Sequence, residues 1–471
     1  MNKKILVLSI KILLPLPLVI NFLFNRKNFQ ILVMENFFQN IFLTLVLFLI
    51  LLSIGSITKS LFKLKTISFG IVCFVSLLFL INNIFLYFLR NVDSFMYYLF
   101  FTLIFFLLSF FKSKNKVKEF TKIFTSIALS IYSNYLLNNF FNRFVIYSKN
   151  ELFTSDETRF WTPVTRMIFD DNYFEALINN PIEGYGLFAA YTKSYFSFLL
   201  NFSAPFNYIP SISNVFILLF FLLIYESEFN FEVKLFTSIC IFAVIFTSTW
   251  FNYLFFNSLL GEGPSGYFFG VIIYELTNLS KRRDITNRYL LIISILLGML
   301  VYSKNFLTVT SLFAIFLIFQ LIYKSVFLLL LGLFPLVVSF INNSILKTDV
   351  LWAFYLKTSN SENAGIYFNN ENAIKIIYEY LVDRPISYFT FLVIFFLLVN
   401  FKKLNGDNIL KICLLSLIFN SLVIFLLGVF VAQSPEPEHL PRYLILLFYI
   451  YSLTLMYGYD EFTNKKHHLL S

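Results

Sequence analysis

The chain has 471 residues, of which 58% are hydrophobic and 13% are charged, and 66 of them are Phe. A water-soluble core could not enclose so many apolar side chains in a chain of this length. The composition therefore excludes a soluble globular protein and predicts a membrane protein. The net charge of +10 predicts no nucleic acid partner, because the basic residues form short clusters between apolar stretches.

About fifteen apolar stretches of near-spanning length follow one another, each bounded by charges or by Asn, Gly and Pro. They predict an all-α fold, a polytopic transmembrane helix bundle of about 13 to 16 spans, with extracytoplasmic loops that carry short amphipathic surface helices. The first span is uncleaved in this interpretation, because Lys11 interrupts its apolar core. The expected spans are Ile5–Phe24, Phe37–Ile57, Thr66–Leu89, Phe95–Phe111, Ile123–Phe141, Tyr185–Phe202, Ile209–Tyr225, Val233–Trp250, Tyr267–Leu279, Tyr289–Val301, Phe306–Tyr323, Val326–Ile341, Ile386–Asn400, Ile409–Val431 and Tyr443–Tyr457.

Basic clusters between the spans predict the orientation of the chain, since Lys and Arg concentrate in cytoplasmic loops. The N-terminus is then cytoplasmic and the protein is a multi-pass protein of the cell membrane. A simple count of crossings puts the third cluster on the wrong side, so one element between Tyr185 and Leu260 must enter and leave by the same face, or an extra half-helix must be present. The candidates are Tyr185–Phe202, which has Lys193 near its middle, and Phe251–Leu260. The clusters are Lys59, Lys63 and Lys65; Lys112, Lys114, Lys116, Lys118 and Lys122; Lys281, Arg282, Arg283 and Arg288; Lys402 and Lys403; Lys465 and Lys466.

The same orientation divides the chain into segments that alternate between membrane and exterior. Two shorter segments are also extracytoplasmic, together with the two long loops: Gly261–Gly266 and Ser434–Arg442. The predicted organisation is transmembrane helices in 1–142, an extracytoplasmic catalytic loop in 143–184, central transmembrane helices in 185–341, a second extracytoplasmic loop in 342–385 and C-terminal transmembrane helices in 386–471.

The stretch Thr154–Gly186 is the longest polar run in the first half of the chain. It holds eight charged residues where a connection between spans needs only a short turn. Its apolar residues recur at helical spacing with polar residues on the opposite side, which predicts an amphipathic helix on the membrane surface. The apolar positions are Phe160, Trp161, Val164, Met167 and Ile168, and the polar positions are Arg159, Thr162, Arg166 and Asp170.

Two neighbouring acids, Asp156 and Glu157, begin this stretch. On a helix their side chains diverge by about 100°, so they cannot both reach one atom. Partial desolvation at the bilayer edge would make one of them a better proton acceptor for a substrate hydroxyl. The alternative involves no chemistry: Thr154 and Glu157 fit a capping box, and acids in a first turn favour the helix dipole.

The run SDETRFWTPVTRMIF, followed by NNPIEGYGLFAAYTKSYF, resembles the first extracytoplasmic loop of the GT-C superfamily of integral-membrane glycosyltransferases. The later segments NSLLGEGPSGYFFG, LVYSKNFLTV and HLPRYLIL resemble further segments of bacterial members. The resemblance covers roughly Thr154 to Tyr457. The turn Pro181–Gly186 departs from the family, in which many members have Asp-Tyr-Pro-Pro-Gly.

The resemblance implies sugar transfer from a polyprenyl-phosphate-linked donor to a lipid, glycan or protein acceptor on the outer face of the membrane. It implies that Asp156 is the general base, with Glu157 beside it, and that a cation stabilises the leaving lipid phosphate. Glu262 would bind a divalent metal or the phosphate end through one, and an ordinary loop acid is the alternative. The candidate cations are Arg442 and Lys304, with Arg159 and Arg166 as local alternatives.

Two other functions stay open. A polysaccharide polymerase or O-antigen ligase would use the same class of donor and differ in its acceptor. A transporter or flippase of lipid-linked sugars would carry ionisable residues inside its spans. In this sequence the acids lie almost entirely in predicted loops, which argues against transport.

Overall fold

The computed structural model describes residues 37–136, 162–179, 187–200, 209–247, 262–280, 287–299, 302, 330–346, 384–399 and 444–467. Within these ranges the chain is helical and contains no strand, so the all-α prediction is confirmed for this part of the protein. Three of the described helices are long and apolar enough to cross a membrane, at Ile41–Phe62, Ile67–Ile84 and Ser94–Lys112. This indicates membrane association, and the larger bundle of 13 to 16 spans stays a prediction.

The described helices belong to two compact units. Unit A comprises Asn36–Leu223 and Phe256–Glu362, and unit B comprises Met1–Glu35, Ile224–Phe255 and Asn363–Ser471. In unit A the helices are α1 (Phe37–Phe62), α2 (Ile67–Ile84), α3 (Ser94–Lys112), α4 (Lys116–Leu136), α5 (Thr162–Asp170), α6 (Tyr173–Ile178), α7 (Phe188–Leu200), α8 (Ile209–Glu226, whose last three residues fall in unit B), α10 (Glu262–Ser280), α11 (Asn287–Met299) and α12 (Phe334–Leu346); in unit B they are α9 (Phe231–Thr247), α13 (Arg384–Val399) and α14 (Leu444–His467).

Helices α1 and α2 pack closely through two glycines. A Cβ atom at Gly70 would overlap the backbone carbonyl of Gly55, and one at Gly55 would meet the side chain of Ile71. Small residues allow helix backbones to approach in a membrane, where packing replaces the hydrophobic effect as the force between helices. The turn between these helices places Lys63 at φ 56°, and Leu64 N–H donates to Lys59 O at 2.9 Å, which satisfies one of the last carbonyls of α1.

One end of unit A collects the Lys-rich turns, and we call it the basic end. It holds the α1–α2 turn with Lys59, Lys63 and Lys65 and the α3–α4 turn with Lys112, Lys114 and Lys116. The two turns are joined directly, because Lys112 Nζ donates to Leu61 O at 3.2 Å and Lys122 Nζ donates to Ser60 Oγ at 3.2 Å.

A buried carboxylate shows that α10 and α11 meet at the basic end too. Glu275 of α10 is fully buried and accepts hydrogen bonds from Thr66 Oγ1, at 2.5 Å, and from the Tyr289 hydroxyl. Thr66 also caps α2, where it accepts from Phe69 N at 3.1 Å. The helix ends that flank the third basic cluster therefore lie at the same end as the first two clusters.

The opposite end of unit A is about 27 Å away along α2, from the rise of an α-helix. We call it the polar end. It comprises the α2–α3 loop (85–93), helices α5 and α6, and Asn342 near the end of α12. Helix α10 starts on this side, because its Phe268 packs on Phe188, which in turn packs on Phe79 in the last two turns of α2.

Helix α7 starts and ends in the polar half of unit A. Near its start Phe188 contacts Phe79, with ring centroids 5.2 Å apart. Near its end Phe198 contacts Phe95, the second residue of α3, at 5.7 Å. Helix α7 is thus compatible with the predicted element that enters and leaves by one face, and the topology stays a prediction.

The three helices of unit B pack around Tyr459 of α14. Its ring stacks on Phe236 of α9 at 4.1 Å and contacts Phe396 of α13 at 5.7 Å. The Tyr459 hydroxyl donates to Glu232 Oε1 at 3.2 Å, so the polar tip of this buried ring is satisfied. A Cβ at the neighbouring Gly458 would overlap the side chain of Phe396, which shows how closely α13 and α14 approach.

The glycine contact between α1 and α2 makes a testable prediction. Gly70→Ala should lower the stability of the purified protein by about 1–3 kcal/mol, because the added methyl group meets a backbone carbonyl that cannot rotate away. Gly263→Ala is the matched control, since no atom of the described residues lies within 4 Å of its Cβ position. Unfolding temperatures in detergent measure both; equal temperatures for Gly70→Ala and the wild type would contradict the close packing.

Candidate functional site

Of the predicted site residues, the structure describes the side chain of Arg166. Its Nε lies 3.0 Å from Asp170 Oδ2 one helical turn away, and both side chains are largely exposed. Glu262 is the first residue of α10, and its side chain lies outside the description. The other predicted residues fall outside the described ranges: Asp156, Glu157, Arg159, Lys304 and Arg442.

The amphipathic helix predicted after Asp156 is present as α5. Val164 and Ile168 are fully buried, whereas the Arg166 side chain is 68% exposed, so the observed faces follow the sequence pattern. Thr165 departs from the pattern, because it is also fully buried. The buried face of α5 packs mainly against α7.

Hydrogen bonds fasten α5 and α6 to the start of α3. The backbone N–H of Ser94 donates to Asp171 O at 3.0 Å, and Asn172 Nδ2 donates to Arg90 O at 2.9 Å. Asn172 also caps α6, since its Oδ1 accepts from Glu175 N at 2.9 Å. The polar stretch that contains Asp156 is thus anchored on the α2–α3 loop through its second half.

Asn83 joins three separate parts of the chain at the polar end. Its Nδ2 donates to Phe79 O at 2.9 Å, and its Oδ1 accepts from the Tyr173 hydroxyl at 3.2 Å. Its backbone carbonyl accepts from Asn342 Nδ2 at 2.9 Å. Burial raises the pKa of Tyr173, and the hydrogen bond with Asn83 offsets part of that rise, so the phenol stays protonated and remains a donor.

A cluster of buried tyrosines lies beneath α6. Tyr191 of α7 makes edge contacts with Tyr173 at 5.8 Å and with Tyr98 at 5.4 Å between ring centroids. The Tyr98 hydroxyl donates to Ser194 Oγ at 3.2 Å, and the Tyr195 hydroxyl lies 3.3 Å from Thr102 Oγ1. Edge-to-face contacts and these hydrogen bonds fix α7 against α2 and α3.

Helix α7 carries a buried cation that sequence reasoning did not assign to the site. All thirteen residues of α7 are buried, and Lys193 is 1% exposed. The sequence did contain a signal for a functional role of this residue, namely a lysine in the middle of an apolar stretch. A charged residue inside a predicted span is by default a candidate functional residue. We interpreted that stretch only as a candidate for the element that enters and leaves by one face.

Among the acids that the structure describes, Glu275 and Glu119 are buried. Glu275 is fully buried inside α10 at the basic end. Glu119, in the first turn of α4, is also buried; it accepts from Ser109 Oγ at 2.5 Å and pairs with Lys122 at 3.1 Å. Both carboxylates hold helices together at the basic end, about one α2 length from α5 and α6.

Within the described ranges, no group of three or more His, Cys, Asp or Glu side chains comes together as a metal site. Comparisons of the chain with protein-family models, with curated proteins and with solved structures give no match. We therefore take the polar end as the candidate site. It consists of α5 and α6, the tyrosine cluster beneath α6, and α7, which packs against both α5 and α10.

Asn83 gives the second testable prediction. Asn83→Ala should loosen α5 and α6 while leaving the basic end intact, because it removes the acceptor of the Tyr173 hydroxyl, whereas the bond from Asn342 to the backbone carbonyl of residue 83 remains. Hydrogen exchange in 162–179 should accelerate about tenfold or more, the equivalent of one or two lost buried hydrogen bonds. Ser344→Ala is the control, since its hydroxyl donates to Phe340 O on its own helix. Unchanged protection of 162–179 in Asn83→Ala would contradict the anchoring.

Proposed function

We propose that this protein is an integral-membrane glycosyltransferase that moves a sugar from a polyprenyl-phosphate-linked donor to a lipid, glycan or protein acceptor at the extracytoplasmic face. The observation that carries the proposal is the position of α5 and α6. The polar stretch that resembles the GT-C loop is fastened to the end of unit A opposite the Lys-rich turns. By the positive-inside rule the Lys-rich end is cytoplasmic, so the site is extracytoplasmic.

The proposed chemistry assigns roles to the residues of the polar stretch. Asp156 takes the proton of the acceptor hydroxyl as the oxygen attacks the anomeric carbon, and the bond from that carbon to the lipid phosphate breaks. A cation beside the phosphate stabilises the negative charge that the leaving group gains. Arg442 and Lys304 are proposed for this role. Arg166 is a poorer candidate than expected, because its guanidinium is exposed and paired with Asp170.

The third prediction tests the base. Asp156→Asn keeps the size of the side chain and can still cap a helix, but it cannot accept a proton, so transfer should fall about a hundred- to ten-thousand-fold. Glu157→Gln should cost less if Glu157 only supports the helix or a metal. Asp170→Asn is the matched control, since it changes an exposed acid of the same stretch. The assay is transfer from a polyprenyl-phosphate sugar by the purified protein.

Two outcomes would count against this assignment. Full turnover by Asp156→Asn would place the base elsewhere in the chain. Failure of Asp156→Asn to accumulate in the membrane, with normal amounts of Asp170→Asn, would instead support a structural role for the Asp156 charge at the helix start. Acceptors of different size in the same assay separate a single-sugar transferase from a polymerase or ligase.

A transporter or flippase of lipid-linked sugars is the second candidate, and one observation favours it. Lys193 and Glu275 are buried inside helices of unit A, and ionisable residues at such positions often line a transport pathway. Glu275 has hydrogen-bonding partners on two neighbouring helices, which fits a structural role equally well. Movement of a fluorescent polyprenyl phosphate across proteoliposomes, without any sugar transfer, would support the transporter over the enzyme.

A further inference from the structure

The lysines of the basic end differ in what their ammonium groups contact. Some of them are held by hydrogen bonds to neighbouring groups of the protein, namely Lys112, Lys116 and Lys122. Others are exposed, and their ammonium groups have no acid or hydrogen-bonding partner among the residues that the structure describes; these are Lys63, Lys114 and Lys118. The second group is therefore available to a partner outside the chain.

The packing of α1 against α4 brings Lys63 and Lys118 together. Helix α1 ends at the basic end and α4 begins there, so the two helices run in opposite directions. They are bonded to each other where Lys122 Nζ donates to Ser60 Oγ at 3.2 Å. Lys118 lies one helical turn before Lys122 on the same face of α4, and Lys63 follows Ser60 by three residues. Both lysines thus lie about one turn beyond this bond, on its outer side.

A second bond adds Lys114 to the pair. Lys112 Nζ donates to Leu61 O at 3.2 Å, so the α3–α4 turn, with Lys114 two residues further on, lies beside the α1–α2 turn. The two acids described at this end, Glu275 and Glu119, are both buried. The surface formed by the two turns therefore carries positive charge that no described acid balances.

Lys63 has a backbone conformation that seldom suits a lysine. Its φ of 56° lies in the left-handed region, and it is the one non-glycine residue with a positive φ in the described part of the chain. At the end of a helix this position is usually occupied by glycine, and sometimes by asparagine, because a Cβ atom crowds the backbone there. The local fold does not account for a lysine at this position, whereas a use of its charge does.

An exposed apolar face of α1 leads to the same turn. Leu45 and Leu49 are 46% and 47% exposed, in a helix long and apolar enough to cross a membrane. Lys59 follows Leu45 by fourteen residues and Ser60 follows Leu49 by eleven, so at about 100° per residue each pair lies within about 40° on the helix surface. A ligand along this face would meet apolar side chains over most of its length and lysines at one end.

We propose that the basic end binds an anionic phospholipid of the cytoplasmic leaflet. The ammonium groups of Lys63, Lys114 and Lys118 bind the headgroup phosphate, and the acyl chains lie along the exposed face of α1. Anionic lipids of that leaflet attract lysines next to a membrane span, which gives the charge complementarity. A nucleic acid or a soluble phosphate has no apolar chain to lie on this face. The inference goes beyond the proposed function and requires no sugar transfer.

The test compares lipids that differ in headgroup charge. The full-length protein in detergent is titrated with phosphatidylglycerol, with phosphatidylcholine and with glycerol phosphate, and binding is followed by native mass spectrometry. Wild type should bind phosphatidylglycerol at least about tenfold more tightly than phosphatidylcholine, since each lysine beside an anionic headgroup contributes about fivefold. Glycerol phosphate should bind far more weakly than phosphatidylglycerol, because it lacks acyl chains.

Lys63→Asn is the most informative variant. Asparagine removes the positive charge and suits the left-handed conformation better than lysine does, so the turn should fold as before. Binding of phosphatidylglycerol should weaken about fivefold, with no fall in the unfolding temperature. A triple variant that adds Lys114→Gln and Lys118→Gln, both at exposed positions, should lose the preference for phosphatidylglycerol.

Lys234→Gln is the matched control. It removes one positive charge from unit B, where the Lys234 ammonium donates to Tyr225 O at 2.8 Å, and it should leave the preference for phosphatidylglycerol unchanged. An equal loss of preference in Lys234→Gln and Lys63→Asn would make the effect one of net charge and would overturn the site.

Three further outcomes would overturn the proposal. The first is equal affinity of the wild type for phosphatidylglycerol and phosphatidylcholine, and the second is a triple variant that keeps the wild-type preference. The third is a dissociation constant for glycerol phosphate equal to that for phosphatidylglycerol, which would assign the lysines to a soluble anion. Loss of the preference in the triple variant of a protein that transfers no sugar would support this site and contradict only the transferase.

Discussion

The structure of the polar end depends on the hydrogen bonds of one residue, Asn83, which it makes through its side chain and its backbone carbonyl. The interior of a membrane offers no water to a broken hydrogen bond, so a buried amide must find every partner within the protein. Asn83 bonds to its own helix through Nδ2, to α6 through Oδ1 and to α12 through its backbone carbonyl. Because α6 continues from α5, the same residue positions the amphipathic helix that follows the acids of the polar stretch.

The two ends of unit A differ in the kind of groups that form their hydrogen bonds. At the basic end, the carboxylates of Glu275 and Glu119 and the lysines around them join six helices by direct bonds. At the polar end the bonds run mainly between neutral groups, and a cation at Lys193 is buried on a helix that starts and ends on that side. The buried carboxylates of unit A that the structure describes thus lie at the basic end, and its buried lysine lies on a helix of the polar half.

The sequence predicted those features that depend on local periodicity. The spacing of Val164 and Ile168 against Arg166 predicted α5, and the apolar runs predicted α1, α2 and α3. It did not reveal the partners of Glu275, because Thr66 lies 209 residues away and becomes a neighbour only when α2 and α10 pack. The burial of Lys193 depends in the same way on the helices that enclose α7. The acids predicted to carry the chemistry, Asp156 and Glu157, lie outside the described ranges, and their roles stay predictions.

Labelling from each side of the membrane tests the central claim, that the two ends of unit A face opposite sides, most directly. In a variant without Cys73, Cys240 and Cys413, Arg166→Cys reports on α5 and Lys114→Cys reports on the α3–α4 turn, and both positions are exposed. An impermeant maleimide should label Arg166→Cys in intact cells and Lys114→Cys only after permeabilisation. Labelling of Lys114→Cys in intact cells, or of Arg166→Cys only in permeabilised ones, would contradict the account.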